Sequence, residues 1–347
     1  MKTKKYPSVT VLVTVKNAKE TIEKCINSIF RQTYPNFKVF VTDAFSTDGT
    51  WEILKRLKKK YGRKLRIERI KGNIARAHNY MVNKVNTKFV AFTDADCIVD
   101  KNWLKNLISG FSDEKIIATA GYCGTPKDVN RLQKLIGKEL EERFKKRVQF
   151  LPHAPTMNLC VRTKYMRRIK FDESLDFAQE TDWGFRVTKH GKIKFVPKAK
   201  IWHYHRATLL KYLKQQFNQA RFTPFVYLKD WKIFLRNLLC IQKDPISNPS
   251  MSLQINIFAL VLILLLLSVW KVIFLYISFL LFCILTIFQL IEAFKLGEKI
   301  SEKFYLFLLF FLRVPIWFFG IIAGSFKLIL LKTLKAYRYY KSKKTDR

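Results

Sequence analysis

Two aspartates stand one residue apart at the end of an apolar run. Residues 89–93 predict a buried strand, and Asp94 and Asp96 follow it directly. In an extended backbone, side chains at positions i and i+2 point to the same side, so both carboxylates reach the carboxyl edge of a sheet, where α/β proteins bind ligands. Carboxylates this close repel each other unless a cation joins them, and Mg²⁺ is often held by carboxylates together with substrate phosphates. The pair predicts a metal–diphosphate site; a solvated turn is the alternative.

Strands and helices alternate through the first part of the chain. We expect strands at 9–15, 37–42, 65–70 and 89–93, and helices at 18–32, 51–60 and 74–85. This alternation predicts an α/β unit with a parallel sheet. A further carboxylate, Asp43, follows the second strand, so we expect Asp43 and Asp94 to lie on the same edge of the sheet.

The charge of the chain indicates an anionic partner. Its 347 residues carry a formal net charge of +38, which suits nucleic acid, a phosphorylated substrate or an anionic membrane surface. No nucleic-acid-binding motif is present, and apolar runs near the C-terminus argue against a nucleic-acid-binding protein. The six cysteines are scattered without a Cys-x-x-Cys pair, so we expect reduced thiols rather than a disulfide framework or a zinc site.

The C-terminal part is apolar enough to enter a membrane. Three apolar runs follow one another at 253–269, 272–291 and 304–331. Crossing a bilayer takes about 20 apolar residues, so we expect a transmembrane region at 251–331. We expect the first two runs to form a hairpin and the third to be re-entrant or interfacial, kinked at Pro315, with Arg313 facing protein or headgroups. This topology keeps the basic tail 332–347 cytoplasmic.

The segment 207–250 joins these parts and mixes Lys and Arg with large apolar residues. Such a mixture is typical of amphipathic helices that lie on an anionic leaflet. Helices that face a protein core are the alternative. Its position just before the first apolar run favours the membrane interface.

Eight short motifs occur in the order and spacing of one enzyme family. They lie at 13–17, 29–36, 41–50, 92–97, 157–158, 171–173, 180–186 and 202–206. Together they resemble the family 2 glycosyltransferases with the GT-A fold. The resemblance implies that residues 1–206 form a Rossmann-like catalytic domain, with a mostly parallel sheet flanked by helices.

The resemblance also implies roles for the residues that could hold a nucleotide-sugar. Asp43 occupies the place of a nucleobase-binding aspartate, and a carboxylate can accept a base N–H. Asp94 would face the ribose and the metal, and Asp96 would coordinate Mg²⁺ or Mn²⁺ directly. His203 resembles the histidine that completes this metal site, while His205 is the alternative if the alignment shifts.

On the acceptor side, an inverting transferase uses a carboxylate as general base. Glu180 occupies that position, where the family usually has Asp, and Asp182 is the rival. If the acceptor is a lipid phosphate, it is already anionic and needs little deprotonation.

Other residues could bind the donor. Arg76, Asn158 and Arg206 are candidates for contacts to the nucleotide-sugar. The family more often has Arg at the position of His78, so a permanent charge is absent there.

The sequence therefore predicts a metal-dependent, inverting glycosyltransferase at the cytoplasmic face of the cell membrane. It resembles dolichyl- and polyprenyl-phosphate sugar synthases of cell-envelope glycan biosynthesis. We expect a nucleotide-sugar donor, anionic lipids as membrane partners, and a polyprenyl phosphate or lipid-linked glycan as acceptor. A catalytically silent nucleotide-sugar-binding scaffold and a transferase for a non-lipid glycan are alternatives. The donor base, the sugar and the oligomeric state stay open, and a homo-oligomer is compatible with the sequence.

Overall fold

Residues 6–145, 149–228 and 249–345 are described by the structure, a computed structural model. They form two compact units that meet in the sequence between Ala207 and Thr208. The later part of the predicted amphipathic segment, 229–248, lies outside the described residues, as do the last two residues of the predicted tail.

A single mixed sheet forms the centre of the first unit. Its strands are β1 (Val9–Val15), β2 (Phe37–Asp43), β3 (Leu65–Arg69), β4 (Phe89–Asp94), β5 (Cys97–Val99), β6 (Ile116–Gly124), β7 (Phe150–Leu151), β8 (Leu159–Arg162) and β9 (Lys192–His203). Their order is β3-β2-β1-β4-β8-β6-β9-β5, with β7 paired to β9. The four strands predicted from the sequence are confirmed, each within one residue at its ends.

The first four strands are parallel and place their carboxyl ends together. Val15 pairs with Asp43, Asp43 pairs with Arg69, and Thr14 pairs with Asp94. Strands β1, β2 and β4 are almost entirely buried, which explains their continuous runs of apolar and β-branched residues, whereas β3 at the end of the sheet order buries only Leu65. The prediction that Asp43 and Asp94 share one edge of the sheet is confirmed.

The remaining strands make the sheet mixed. Strand β8 is antiparallel to β4 and β6, while β5 is antiparallel to β9. The short β5 begins directly after Asp96, and its first residue, Cys97, pairs with His203 at the end of β9. This pairing brings two distant parts of the chain to one point.

Seven α-helices accompany this sheet within the described part of the first unit: α1 (Ile22–Phe30), α2 (Thr50–Tyr61), α3 (Ile74–Asn83), α4 (Trp103–Ser109), α5 (Arg131–Lys145), α6 (Thr163–Arg168) and α7 (Gln179–Val187). The helices predicted at 18–32, 51–60 and 74–85 are confirmed as α1 to α3, although α1 is shorter at both ends. Trp103 and Trp183 are completely buried and anchor α4 and α7 to the core.

The second unit is helical in its described part. Its helices are α8 (Leu209–Tyr227), α9 (Pro249–Leu267), α10 (Ile273–Leu296) and α11 (Ile300–Thr345). Three of them contain stretches long and apolar enough to cross a membrane by length and composition: Ser250–Leu267, Ile273–Leu296 and Ile300–Leu334.

Polar contacts join the helices of this unit. Gln254 of α9 donates to Glu292 of α10 over 2.8 Å and accepts from Gln289 of α10 over 3.3 Å. Trp317 of α11 donates to Gln216 of α8 over 2.8 Å. The backbones of α8 and α11 also approach each other closely. A Cβ atom added at Gly320 would lie only 2.6 Å from the Cβ atom of Ala220.

The third apolar run is helical throughout. Residues 304–331 lie inside the continuous helix α11, and Pro315 stands within that helix. The helix shows no turn inside this run, and the re-entrant or interfacial placement of the run stays a prediction. Arg313 is 2% exposed, so its guanidinium faces protein, one of the two surroundings predicted for it.

Helix α3 buries His78, which the sequence suggested among the residues around the donor. His78 is 0% exposed, and its ring packs against Phe92 and Phe171 with centroids 4.9 and 5.5 Å away. Neither ring nitrogen has a hydrogen-bond partner in the described residues. Burial lowers the pKa of His78 to about 3, so this residue is a neutral core side chain.

We predict that His78 makes the protein sensitive to acid. Between pH 6.5 and about 3, the unfolded chain protonates this histidine and the folded chain does not, so the free energy of unfolding falls as the pH falls through this range. In detergent, the melting temperature of a His78→Leu variant should drop less between pH 7.5 and pH 5 than that of the wild type.

His190→Gln, at an exposed histidine, is the matched control and should keep the wild-type acid sensitivity. An equal drop in the wild type and in His78→Leu would contradict the prediction. Some sensitivity should persist, since burial also lowers the pKa of His205 to about 3.

Candidate active site

The carboxylates after β4 meet a histidine and an arginine from the end of β9. The β5–β9 pairing brings His203 Nε2 to 3.3 Å from Asp96 Oδ1. The backbone N–H of Tyr204 donates to the carbonyl of Asp96 over 2.9 Å, which extends this pairing by one bond. Arg206 Nη1 lies 3.8 Å from Asp96 Oδ2. Asp94, Asp96, His203 and Arg206 are therefore brought together, as the sequence predicts.

The two aspartates, together with His203 and Arg206, shift one another's pKa values. Burial and the charge of Asp96 raise the pKa of Asp94 to about 7. Burial alone would raise the pKa of Asp96, but His203 and Arg206 lower it. Burial alone would lower the pKa of His203, but the Asp96 carboxylate outweighs burial and raises it.

The ligand atoms fit a divalent cation. One atom each from Asp96, Cys97 and His203 lie within 4.8 Å of one another. The Nδ1 atom of His203 is buried and has no partner in the described residues. Carboxylate oxygen and imidazole nitrogen are ligands suited to Mn²⁺, and carboxylate oxygen also suits Mg²⁺. Burial, followed by the charges of Asp96 and Asp94, raises the pKa of the Cys97 thiol well above its usual value.

His205 has a different environment from His203. It is 8% exposed, its Nε2 lies 3.5 Å from Thr125 Oγ1, and its carbonyl accepts from Gln133 over 2.7 Å. Its ring stands 4.7 Å from that of His203. The geometry therefore favours His203 over His205 as the histidine of this centre.

Glu180 stands in the first turn of α7 and faces the same centre. Its charge contributes to the raised pKa of Asp94. Burial raises the pKa of Glu180 itself, while its own backbone N–H and nearby His153 act in the opposite direction. Its Oε2 atom is buried without a hydrogen-bond partner in the described residues. A carboxylate with a raised pKa and a free oxygen suits a general base.

The backbone around Glu180 is closely fitted. Ala178 precedes α7 with φ of +60°, a conformation that costs about 1 kcal/mol for a residue with a Cβ. Gly184, one helical turn after Glu180, lets the segment that carries His153 pack directly on α7. The sequence gives no sign of His153, because no motif includes it and its role depends on this packing.

Asp182, the rival candidate for the base, is already engaged. It is 3% exposed, and its Oδ2 accepts from Arg186 Nε over 2.9 Å and from Arg186 Nη2 over 2.7 Å. The same guanidinium donates to the carbonyl of Lys170 over 2.8 Å. This buried ion pair ties α7 to the chain after α6, so the contacts of Asp182 are structural.

Asp43 lies at the predicted edge, but its side chain is closed off. It is 0% exposed. Both oxygens accept from the backbone N–H of Ser46, at 3.2 and 3.1 Å, and Oδ2 also accepts from Arg69 Nε over 3.0 Å. No sequence motif includes Arg69; its position at the end of β3 beside Asp43 is the only pattern that could have indicated it.

The remaining candidates separate into one exposed and one buried residue. Arg76 is exposed in the first turn of α3, after the carboxyl end of β3. Asn158 is 1% exposed; it donates to the carbonyls of Tyr122 and Ala199 over 3.0 and 2.9 Å, and accepts from Trp103 Nε1 over 2.8 Å. Asn158 therefore joins β6, β9 and α4, and its predicted contact to the donor stays a prediction.

Comparisons with known proteins agree with this geometry. Residues 10–175 match the family described as Glycosyl transferase family 2. The first unit therefore contains a family 2 glycosyltransferase domain. The glycosyltransferase AglE of Haloferax volcanii is 27% identical over 248 residues, which cover 69% of this chain and 80% of AglE.

Two further proteins are similar to this glycosyltransferase. One is the UDP-Glc:alpha-D-GlcNAc-diphosphoundecaprenol beta-1,3-glucosyltransferase WfaP of Escherichia coli, 30% identical over 112 residues, or 31% of this chain and 43% of WfaP. The other is the mannosyltransferase PcManGT of Pyrobaculum calidifontis, solved with GDP-Man and Mn²⁺. It aligns over 93% of this chain and 87% of its own with a TM-score of 0.56 and 17% identity, which supports the GT-A fold.

We predict that Gly184→Ala disturbs the site through packing. The added Cβ would lie 2.6 Å from His153 Cα and 3.1 Å from the Pro152 carbonyl oxygen, so α7 or the segment of His153 must move. Overpacking of this kind costs about 1–3 kcal/mol. We expect a lower melting temperature in detergent and slower sugar transfer.

His190→Gln, at an exposed residue just after α7, is the control and should change neither quantity. A Gly184→Ala variant with wild-type stability and wild-type transfer would show that α7 and this segment are not tightly fitted.

Proposed function

We propose that the protein transfers one sugar, with inversion, from a nucleotide-sugar to a lipid-linked acceptor at the cytoplasmic face of the membrane. The observation that carries this proposal is the convergence of Asp94, Asp96, His203 and Glu180 at one edge of the sheet, in a chain with three helices that could cross a membrane. The acceptor would be a polyprenyl phosphate or a lipid-linked glycan.

The donor side follows from the charges at the sheet edge. Asp96 and His203, supported by Asp94, would hold Mg²⁺ or Mn²⁺, which when bound would stabilise the leaving nucleoside diphosphate. Arg206, 46% exposed at its side chain, and the exposed Arg76 would contact the diphosphate. PcManGT, which shares the fold, was solved with GDP-Man and Mn²⁺, and this supports a divalent cation here.

On the acceptor side, Glu180 would take up the proton. An acceptor oxygen attacks the anomeric carbon, the bond from that carbon to the diphosphate oxygen breaks, and its electron pair leaves with the nucleoside diphosphate. If the acceptor is a hydroxyl group, its proton passes to the Glu180 carboxylate. If the acceptor is a lipid phosphate, Glu180 orients it rather than deprotonates it.

The lipid-linked acceptor is supported by the second unit of the chain and by one relative. An acceptor anchored in a bilayer is reached most directly by an enzyme that is itself membrane-bound, and α9 and α10 are suited to form a membrane hairpin. WfaP is named for a diphosphoundecaprenol-linked acceptor. Nucleotide-sugars are cytoplasmic, and the basic residues of 332–347 favour the same side.

A transfer assay tests this function. The full-length protein in detergent is mixed with Mn²⁺ or Mg²⁺, a labelled nucleotide-sugar from a panel, and either a polyprenyl phosphate or a polyprenyl-diphosphate-linked sugar. We expect label to enter the lipid phase from one donor. Asp96→Asn should abolish transfer because it removes a charged metal ligand.

Asp128→Asn is the matched control, since Asp128 is an exposed carboxylate paired with Lys24, and it should retain transfer. Label on a water-soluble glycan acceptor alone would overturn the lipid-linked acceptor and leave the enzyme class standing. Wild-type transfer by Asp96→Asn would overturn the proposed metal site.

We predict that Glu180→Gln and Asp182→Asn have different effects. With a hydroxyl acceptor, Glu180→Gln should lower kcat by about 100-fold or more and leave donor affinity unchanged, because it removes the base without touching the donor site. Asp182→Asn breaks the pair with Arg186, so it should lower the melting temperature and keep most of the transfer activity.

Both variants are compared at equal folded fraction, by initial rates and by donor binding. The opposite pattern, with transfer lost only in Asp182→Asn, would assign the base to Asp182. An effect of Glu180→Gln on donor affinity alone would show that Glu180 is not the base.

A further inference from the structure

A hollow with basic walls lies at the edge of the sheet opposite the candidate active site. Lys88 stands just before β4 and Asp94 ends that strand, so the strand separates the two edges by about 17 Å. The hollow has a volume of about 360 Å³, and its walls include Lys88, Glu114, Arg162, Thr163, Lys164 and Arg167. Four of these side chains are cationic and one is anionic, so positive charge is in excess there.

Arg162, at the end of β8, is a buried cation whose charge is poorly balanced. Its side chain is 9% exposed, and its Nη1 lies 3.6 Å from the carboxylate of Glu114, which is 81% exposed and therefore screened by water. Its Nε and Nη2 donate to the carbonyls of Ile116 and Asp113 over 2.9 and 3.1 Å, and these acceptors are neutral. Because a buried charge is costly without a close partner, a further anion beside this guanidinium would be favourable.

The next residue, Thr163, has a hydroxyl group without a partner. Thr163 is 5% exposed, and its Oγ1 is buried with no hydrogen bond to any residue that the structure describes. Its backbone N–H donates to the carbonyl of Lys88 over 3.1 Å, which holds Thr163 against the wall of the hollow. An unsatisfied buried hydroxyl is unfavourable, and an acceptor oxygen in the hollow would satisfy it.

Three further cations border the same hollow. The ammonium groups of Lys88 and Lys164 lie 6.0 and 5.3 Å from aromatic rings, and neither lysine forms an ion pair within the described part of the chain. The Nη2 atom of Arg167 donates to Asn86 Oδ1 over 2.9 Å and to the carbonyl of Val85. Neutral groups thus hold this guanidinium in place and leave its charge unbalanced.

We propose that this hollow binds a phosphate-bearing anion with at least two negative charges, at a second site separate from the donor site. Guanidinium groups match phosphate oxygens with paired donors, and ammonium groups add charge. A carboxylate with one charge would leave much of the cationic excess unbalanced. The ligand chemistry is that of a phosphomonoester or a diphosphate, carried by a soluble molecule or by the headgroup of a lipid. This inference does not depend on the proposed transfer reaction.

Calorimetry with inorganic pyrophosphate tests the site. The full-length protein is kept in detergent with EDTA, so that no divalent cation supports the donor site, and chloride holds the ionic strength constant. The wild type should bind, and Lys164→Gln and Thr163→Val should each weaken binding by about tenfold, because each removes a donor to a charged ligand. Lys105→Gln, at an exposed lysine of α4, is the matched control and should keep the wild-type affinity.

Thr163→Val also separates binding from structure. Valine has a similar shape, and the hydroxyl that it lacks has no partner in the described residues, so the variant without pyrophosphate should melt at the wild-type temperature or above it. Saturating pyrophosphate should raise the melting temperature of the wild type, since a ligand of the folded state stabilises it, and should raise that of the variant much less. A lower melting temperature of the variant without pyrophosphate would show that the hydroxyl is structural and overturn its role in binding.

A second arm of the experiment identifies the source of the phosphate. Phosphatidic acid in mixed micelles with phosphatidylcholine presents a phosphomonoester on a lipid, whereas pyrophosphate presents phosphate in solution. A lipid source predicts a higher melting temperature with phosphatidic acid than with phosphatidylcholine alone, and Lys164→Gln should lose this difference. A soluble source predicts the rise with pyrophosphate only. Either result supports the site.

Three results would overturn the inference. The first is that neither pyrophosphate nor phosphatidic acid affects the wild type. The second is equal pyrophosphate binding by the wild type, Lys164→Gln and Thr163→Val. The third is binding that is lost in Arg206→Gln and kept in Lys164→Gln, which would place the anion at the donor site. The proposed function stands in all three cases, because the transfer assay with Asp96→Asn tests it separately.

Discussion

The repulsion between Asp94 and Asp96 is the constraint on which the rest of the site depends. Two carboxylates at the end of one buried strand are unfavourable unless positive charge reaches them. The fold supplies that charge through the antiparallel pairing of β5 with β9, which brings His203 and Arg206 to Asp96. The hydrogen bonds of this short strand therefore set where His203 and Arg206 stand relative to Asp96.

Much of the sheet edge could be predicted from the sequence. The alternation of apolar runs and turn residues indicates the first four strands within one residue, and three of them, β1, β2 and β4, are buried and nearly continuously apolar. Parallel strands must end on one edge, so the meeting of Asp43 and Asp94 follows from topology alone. Ordered motifs also indicate His203 and Glu180, although no local pattern shows which atoms they face.

The parts that could not be predicted depend on burial and on partners distant in sequence. Asn158 has a motif position that suggests a ligand contact, but its amide is used between β6, β9 and α4. His78 occupies a helix that could face phosphate, but its side of α3 points into the core. Pro315 suggested a break in the third apolar run, but a helix can continue through proline when neighbouring contacts compensate for the lost bond.

The position of Cys97 bears on which cation the centre accepts. A thiolate beside Asp96 and His203 would make the ligand set soft and attract Zn²⁺, which binds more strongly than Mg²⁺ or Mn²⁺ to sites that contain nitrogen and sulfur. Burial and two neighbouring carboxylates raise the pKa of the Cys97 thiol, and a thiol is a poorer metal ligand than a thiolate. A metal that used this sulfur would have to displace the thiol proton, so the raised pKa adds to the cost of binding a thiophilic metal through a residue that need not touch the substrate.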